Sequence, residues 1–341
     1  MAGGGTARSG LGGSAGGAAV TSTPVDDATL ALLLEVAGTP KPGNVDRHRD
    51  LDGLRFEAFL GGAVGAREGL ELAADGTTGV GRAFERGVSG MAARAGTNTQ
   101  FGCLLLLVPL VRASAEAEEP GGDLAPAGVE RVARETTVDD AVAFYRAFEH
   151  VDVAVADPPA DAADLDVRRG SDAAPALRER EATLRDVMAL SAGLGGDDDR
   201  GDPDRVPDRN AREWVEGFPR TFRAAEWILS DEGPLTDRAA RAFLGLLAAE
   251  PDTLVAANRG PETAREASER AAALLGGAGA PPDALAGVDA VDAAAVRAAD
   301  LGAAEELATA FVDEEINPGT TADLTCAALY VALRRGAEVA P

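Results

Sequence analysis

Apolar residues recur along most of this chain at helical spacing, and period-two alternation is nearly missing. Leu30, Leu33, Leu34 and Val36 form a partly apolar face behind Thr23 and Pro24, a capping side chain and a favoured first helical residue. Gly38 ends that helix. A second helix is predicted over about 54–74, with Phe56, Phe59, Leu60 and Val64 inward, and a third over about 80–95. Residues 99–113 are apolar nearly all round, which predicts a central, buried helix. Further helices are predicted near 138–150, 183–190, 211–229, 237–249, 261–275, 293–312 and 322–335. Only Val151-Asp152-Val153-Ala154-Val155 alternates as a short strand would. The fold class is all-α, a single-domain multi-helix bundle over residues 23–341, without internal repeats.

Composition adds limits to that picture. Residues 1–22 are Gly/Ala-rich and read as a disordered tail, without the apolar core of a signal peptide. Acidic, Gly/Pro-rich segments at 116–127, 156–175, 195–208 and 276–288 read as surface loops. Aromatics are only 4% of a chain that is 45% hydrophobic, so Ala, Leu and Val must build the core. The formal charge is -25, and Arg has replaced Lys almost everywhere. That composition fits a protein of concentrated salt, where a Debye length of ~3 Å at 1 M leaves little self-repulsion. It argues against a nucleic-acid partner, which needs clustered cations. The longest apolar run, 103–111, is too short for a bilayer and contains Pro109, so a soluble cytoplasmic protein is expected. Cys103 and Cys326 sit in apolar helical contexts and read as small buried hydrophobes in a reducing compartment.

Four polar clusters could carry chemistry. The first holds Glu35, Lys41, Asp46, Arg47, Arg49, Asp50 and Asp52. Lys41 is the chain's single lysine, held between Pro40 and Pro42 in a stiff segment that would present its ammonium. Lys and Arg suit phosphates and the carboxylates suit Mg²⁺; a solvated salt-bridge loop is the plain alternative. His48 is a possible base. The second cluster, Gly96-Thr97-Asn98-Thr99, precedes the buried helix, where side chains cap and free N–H groups attract anions. The third runs from Asp252 to Arg259, seven residues apart and thus on one helical face. The fourth, Asn317-Pro318-Gly319-Thr320-Thr321-Ala322-Asp323, is a turn and helix start; Asp323 either favours the helix dipole or joins a metal or base set. No Walker loop, dinucleotide fingerprint, serine elbow or metal-His spacing occurs.

In this order, the clusters resemble the triphosphoribosyl-dephospho-CoA synthase family over about residues 28–337. Pro40-Lys41-Pro42-Gly43-Asn44-Val45-Asp46-Arg47 is similar to the family's PKPGLVDR, and Gly96-Thr97-Asn98-Thr99 to its GVNT. Asp252-Thr253 through Arg259-Gly260 resembles DTN…RGG, and the fourth cluster resembles NPGGSADLL. This chain departs from the family at Gln100-Phe101, where His-Lys is usual, at Asn258-Arg259-Gly260-Pro261 for HRGG, and at Gly319-Thr320-Thr321 for GGS.

The resemblance implies an all-α transferase that joins ATP to 3′-dephospho-CoA and releases adenine. Its implied roles are Lys41 and Arg47 on phosphates, with Mg²⁺ on Glu35, Asp46 or Asp50. Asp252 or Asp323 would be the base. Asn98, Thr99 and Thr321 would orient the ribose and nucleobase, and Arg259 would contact a phosphate. Two alternatives keep the nucleotide and change the outcome: an ATP-dependent kinase or ribosyl transferase on another cofactor intermediate, and a non-catalytic nucleotide-binding protein.

Overall fold

The computed structural model describes residues 22–117, 124–155, 157–158, 160–194, 206–276 and 287–339. The tail at 1–21 and most of the segments read as surface loops at 116–127, 195–208 and 276–288 lie outside the described residues. The first half of the chain forms α1 (Pro24–Ala37), α2 (Phe56–Gly65), α3 (Arg67–Asp75), α4 (Val80–Ala95), α5 (Phe101–Ala115), α6 (Pro126–Arg134) and α7 (Val138–Ala147). It continues through α8 (Ala174–Glu179), α9 (Leu184–Ser191), α10 (Arg209–Glu216), α11 (Pro219–Ser230) and α12 (Leu235–Ala249). The last part holds α13 (Thr253–Arg259), α14 (Pro261–Leu275), α15 (Ala293–Arg297), α16 (Leu301–Asp313) and α17 (Gly319–Arg334). Among the described residues there is no sheet; two isolated bridges, Asp46 with Arg49 and Leu51 with Leu54, stitch the loop after α1. The fold is all-α, as the pattern predicts.

Helix α5 is the central element, buried from Cys103 through Ala113. It packs against α1, α3, α4, α6 and α17, and α17 in turn packs against α11 and α12. Pro109 lies inside α5 and cannot donate to the carbonyl of Leu105, four residues back. The indole Nε1 of Trp214 on α10 donates to that oxygen at 3.2 Å. An internal proline is thus tolerated in the core because a tryptophan satisfies the carbonyl it leaves open.

Several predicted helices are divided. The helix predicted at 54–74 breaks at Ala66 into α2 and α3, and both halves press on α4 through paired glycines. A Cβ on Gly65 would come within 2.2 Å of the Gly90 carbonyl oxygen, and one on Gly69 within 2.3 Å of the Gly87 nitrogen. The helix predicted at 211–229 breaks at Gly217 and Phe218, both with positive φ, before Pro219. The buried Glu213 carboxylate accepts from the backbone of Arg220 at 3.2 Å and Thr221 at 2.9 Å, capping α11 in place of its own Phe218. The helix predicted at 293–312 divides before Asp300, which caps α16. Residues 151–155 form no strand; they run as irregular chain. The segment at 160–173, read as loop, coils into the 3₁₀ turns Ala160–Leu165 and Val167–Ala173.

Candidate active site

The loop after α1 is organised by Asp46, which is fully buried. Its carboxylate accepts from the Thr39 hydroxyl at 2.9 Å, the His48 backbone at 2.8 Å, the Arg49 guanidinium at 3.0 Å and the Lys41 backbone at 3.3 Å. The loop folds Lys41 inward, so its ammonium is not presented to solvent as the flanking prolines suggest: the residue is 1% exposed. Lys41 Nζ forms an ion pair with Glu35 and donates to Asn44 Oδ1 at 3.0 Å. Burial pushes the Glu35 carboxyl above its ordinary range, against the pull of Lys41. Asn44 Nδ2 donates to Asn317 Oδ1 at 2.9 Å, joining the first cluster to the fourth. Gly43, with φ of 71°, permits that approach: a Cβ would lie 1.8 Å from the Ile316 carbonyl oxygen.

The third and fourth clusters meet at Asp252. Its Oδ1 caps α13 through the backbone of Leu254 and Val255, and its Oδ2 accepts from Thr321 N and Thr321 Oγ1, both at 2.7 Å. Buried Arg209 also donates to Thr321 Oγ1, at 3.1 Å. Asp252 and Thr321 therefore brace two helix starts. Arg259 does not share a working face with Asp252: Asp252 is buried, while Arg259 is exposed and pairs with Glu315 at 2.9 Å.

In the second cluster, Asn98 Oδ1 accepts from Phe101 N at 3.2 Å and caps α5, while Asn98 Nδ2 donates to the Asp152 carbonyl at 3.3 Å. Gln100 is turned inward and donates to the Leu32 carbonyl at 3.2 Å. Phe101 instead joins an aromatic cluster, 5.0 Å from Phe84 and 4.9 Å from Phe148 between ring centroids.

These elements enclose a cavity of about 590 Å³. All four clusters reach it, through Glu35 and Asn44, Asn98 and Thr99, Thr253 and Leu254, and Asn317, Thr320 and Asp323. Its opposite wall is apolar, built from Phe101, Phe144, Phe148, Val153, Leu165 and Met188. At the polar end, Asp323 Oδ2 accepts from Asn210 Nδ2 at 2.8 Å, and Asp323 Oδ1 lies 3.2 Å from Cys103 Sγ. Burial pushes the Asp323 carboxyl up to about 7, and the negative charge of Glu35 adds to this. The hydrogen bonds from Asn210 and Cys103 act the other way. Its proximity to α5 depends on Gly102, where a Cβ would fall 1.9 Å from Asp323 Oδ2.

Of the residues singled out from sequence, Glu35, Asn98, Thr99 and Asp323 line this cavity, whereas Lys41, Asp46, Arg47, Asp50, Asp252, Arg259 and Thr321 do not. Arg47 is exposed and donates to the Ala37 carbonyl at 3.1 Å. Asp50 is exposed and accepts from Phe56 N at 2.8 Å. His48 is exposed and lies off the cavity. Glu35, Asp46 and Asp50 do not form a common metal site, and no group of three or more potential ligands does so among the described residues. Asn210 and Cys103 were missed: one follows the Asp208 cap of α10, the other sits in an apolar run, and neither pattern marks a site.

The polar end thus gathers turns from four separated segments around the half-buried Asp323 carboxylate. The chain belongs to the CitG family, ATP:dephospho-CoA triphosphoribosyl transferase, whose family model matches residues 21–340. It is a transferase that moves the triphosphoribosyl group of ATP to dephospho-CoA. A crystal structure from Archaeoglobus fulgidus, provisionally described as a triphosphoribosyl-dephospho-CoA synthase, shares the fold. The TM-score is 0.58 at 22% identity, covering 81% of this chain and 99% of that one. No curated protein gives a significant match. Among the described residues, no helix is long and apolar enough to cross a membrane.

Proposed function

We propose that ATP binds in this cavity and that the transfer takes place over Asp323. The observation that carries the reading is the convergence of four separated polar segments on one cavity with this carboxylate at its polar end. A 2′-hydroxyl of dephospho-CoA attacks C1′ of the ATP ribose. The new O–C1′ bond forms as the C1′–N9 bond breaks, and adenine leaves with the electron pair. The hydroxyl proton passes to Asp323 and ends on adenine, so the carboxylate is regenerated. A group titrating at about 7 suits both transfers. The transition state carries oxocarbenium character, which the nearby carboxylates Glu35 and Asp323 stabilise.

The aromatic wall takes the flat adenine ring, with Phe101 and Phe148 offering stacking faces. Glu35 is held by Lys41 through one oxygen, and its other oxygen orients a ribose hydroxyl. Lys41 thereby acts through Glu35, and Asp252 acts through Thr321 and the start of α17. Mg²⁺ enters as part of the MgATP substrate, since the described carboxylates do not build a resident centre. The charge of -25 with a single lysine supports a protein that works in concentrated salt, and its thermal midpoint should rise steeply with KCl.

Product analysis tests the reaction. Protein in molar KCl, given ATP, Mg²⁺ and 3′-dephospho-CoA, should yield free adenine and a triphosphoribosyl adduct. ADP in place of adenine would overturn the reading in favour of phosphoryl transfer.

A further inference from the structure

The substrates are polyphosphates, yet no Lys, Arg or His lines the cavity among the described residues. Beyond the Mg²⁺ that ATP carries, phosphate oxygens in the cavity must then be met by neutral protein donors. Most of those at the cavity already donate to protein partners. Asn44 donates to Asn317, Asn98 to the Asp152 carbonyl, Asn210 to Asp323, Tyr145 to the Leu165 carbonyl and Thr253 to the Pro207 carbonyl.

Apart from the Thr99 hydroxyl, which is unpartnered but sealed against Gly62, two remain at the start of α17. Thr320 is 6% exposed and borders the cavity, and its hydroxyl has no hydrogen-bond partner. Asn317, which also lines the cavity, accepts through Oδ1 and leaves Nδ2 undonated. Helix α17 is 16 residues long, and no side chain of its N-cap Pro318 covers the first turn. Asp252 takes the Thr321 N–H, and Gly319 N bonds to the Asn317 carbonyl. The Thr320 N–H is left, one of the donors a helix start cannot satisfy internally. Its field adds to the attraction for an anion.

We propose that the start of α17 is a phosphate subsite, in which Thr320 Oγ1, Thr320 N–H and Asn317 Nδ2 hold one phosphate group of a polyphosphate substrate without a protein cation. The subsite rests on the reading of the cavity as the place of transfer. It sits one helical turn before Asp323, so the held phosphate fixes the substrate relative to the proton acceptor. The phosphate belongs either to the triphosphate of ATP or to the pyrophosphate of dephospho-CoA.

Thr320→Val removes the hydroxyl at nearly constant shape, and Thr320→Ser keeps it. Calorimetric titration with inorganic tripolyphosphate should show about tenfold weaker binding for the valine variant, and recovery with serine. A matching rise in KM for ATP alone, or for dephospho-CoA alone, identifies which substrate supplies the phosphate. Should the valine pack badly, Thr320→Ala gives the same comparison in a helix-favouring residue. Unchanged tripolyphosphate affinity and unchanged KM for both substrates, in variants that still release adenine, would overturn the subsite. A wild-type protein that binds tripolyphosphate through Thr320 but releases no adenine would leave the subsite standing and remove the transfer reading instead.

Discussion

Gly102→Ala is the sharpest probe of the site, because it changes one carbon where the geometry has no room. Gly102 lies in the first turn of α5, where alanine favours the helix by roughly 0.5–1 kcal/mol. On secondary structure alone, the variant should be as stable as the wild type or more so. The added Cβ, however, would stand 1.9 Å from Asp323 Oδ2, 2.4 Å from its Cγ and 2.8 Å from Asn210 Nδ2. Moving that oxygen from 1.9 Å to ordinary contact near 3.4 Å displaces it by roughly 1.5 Å. Asp323 is a short side chain anchored on buried α17, so it cannot absorb this by bending a flexible end; it must change rotamer and release Asn210. A misplacement of about 1 Å at a reacting group costs on the order of 10²-fold in rate. The expected outcome is an intact helical circular dichroism spectrum, a thermal midpoint near wild type, and adenine release reduced about a hundredfold. Wild-type kcat in Gly102→Ala would refute the assignment of Asp323 to the reacting centre.

Other consequences follow from the same geometry. Lys41→Met leaves Glu35 as a buried charge without its partner and should destabilise the fold by about 3–5 kcal/mol in denaturant titration, whereas Arg47→Ala, at the surface, should stay within about 0.5 kcal/mol. If Lys41 instead contacted phosphate, its variant would fold normally and lose only ATP affinity. Trp214→Phe removes the donor to the Leu105 carbonyl and should cost about 1–3 kcal/mol; in a Pro109→Ala background, where an N–H is restored to that carbonyl, the cost should shrink. As a proton acceptor Asp323 must be ionised, so kcat should fall below a pH of about 7 and level off above it. Because its folded pKa lies above the ordinary value of 3.8, this group's stabilising contribution is complete below that value and lost as pH rises through about 7. A pH-rate profile flat from 6 to 8 would contradict the role.

Much of this was legible in the residues. Apolar spacing located α1, α4, α14 and the central α5, and the caps Thr23 and Gly38 marked the boundaries of α1. The breaks at Ala66 and Asp300 were not visible because the apolar period runs across them, although Gly217-Phe218-Pro219 carried a turn signal that periodicity outweighed. Motif order brought Glu35, Asn98, Thr99 and Asp323 to one cavity. Direction was the part sequence could not supply. Lys41 looked like a presented cation, but a lone lysine near Glu35 serves equally well as a buried partner. Asp252 and Thr321 looked like a base and a ligand; they are bound to each other, and the neighbouring Thr320 faces the cavity instead. Asn210 belongs to no cluster and reaches Asp323 only because α10 crosses α5 and α17.

The most direct measurement compares wild type with Asp323→Asn in the adenine-release assay, with ATP and dephospho-CoA saturating and binding of both checked by calorimetry. The account predicts one adenine per adduct for the wild type, and release at least about a hundredfold slower in a variant that still binds both substrates. Adenine release at the wild-type rate from Asp323→Asn would contradict it.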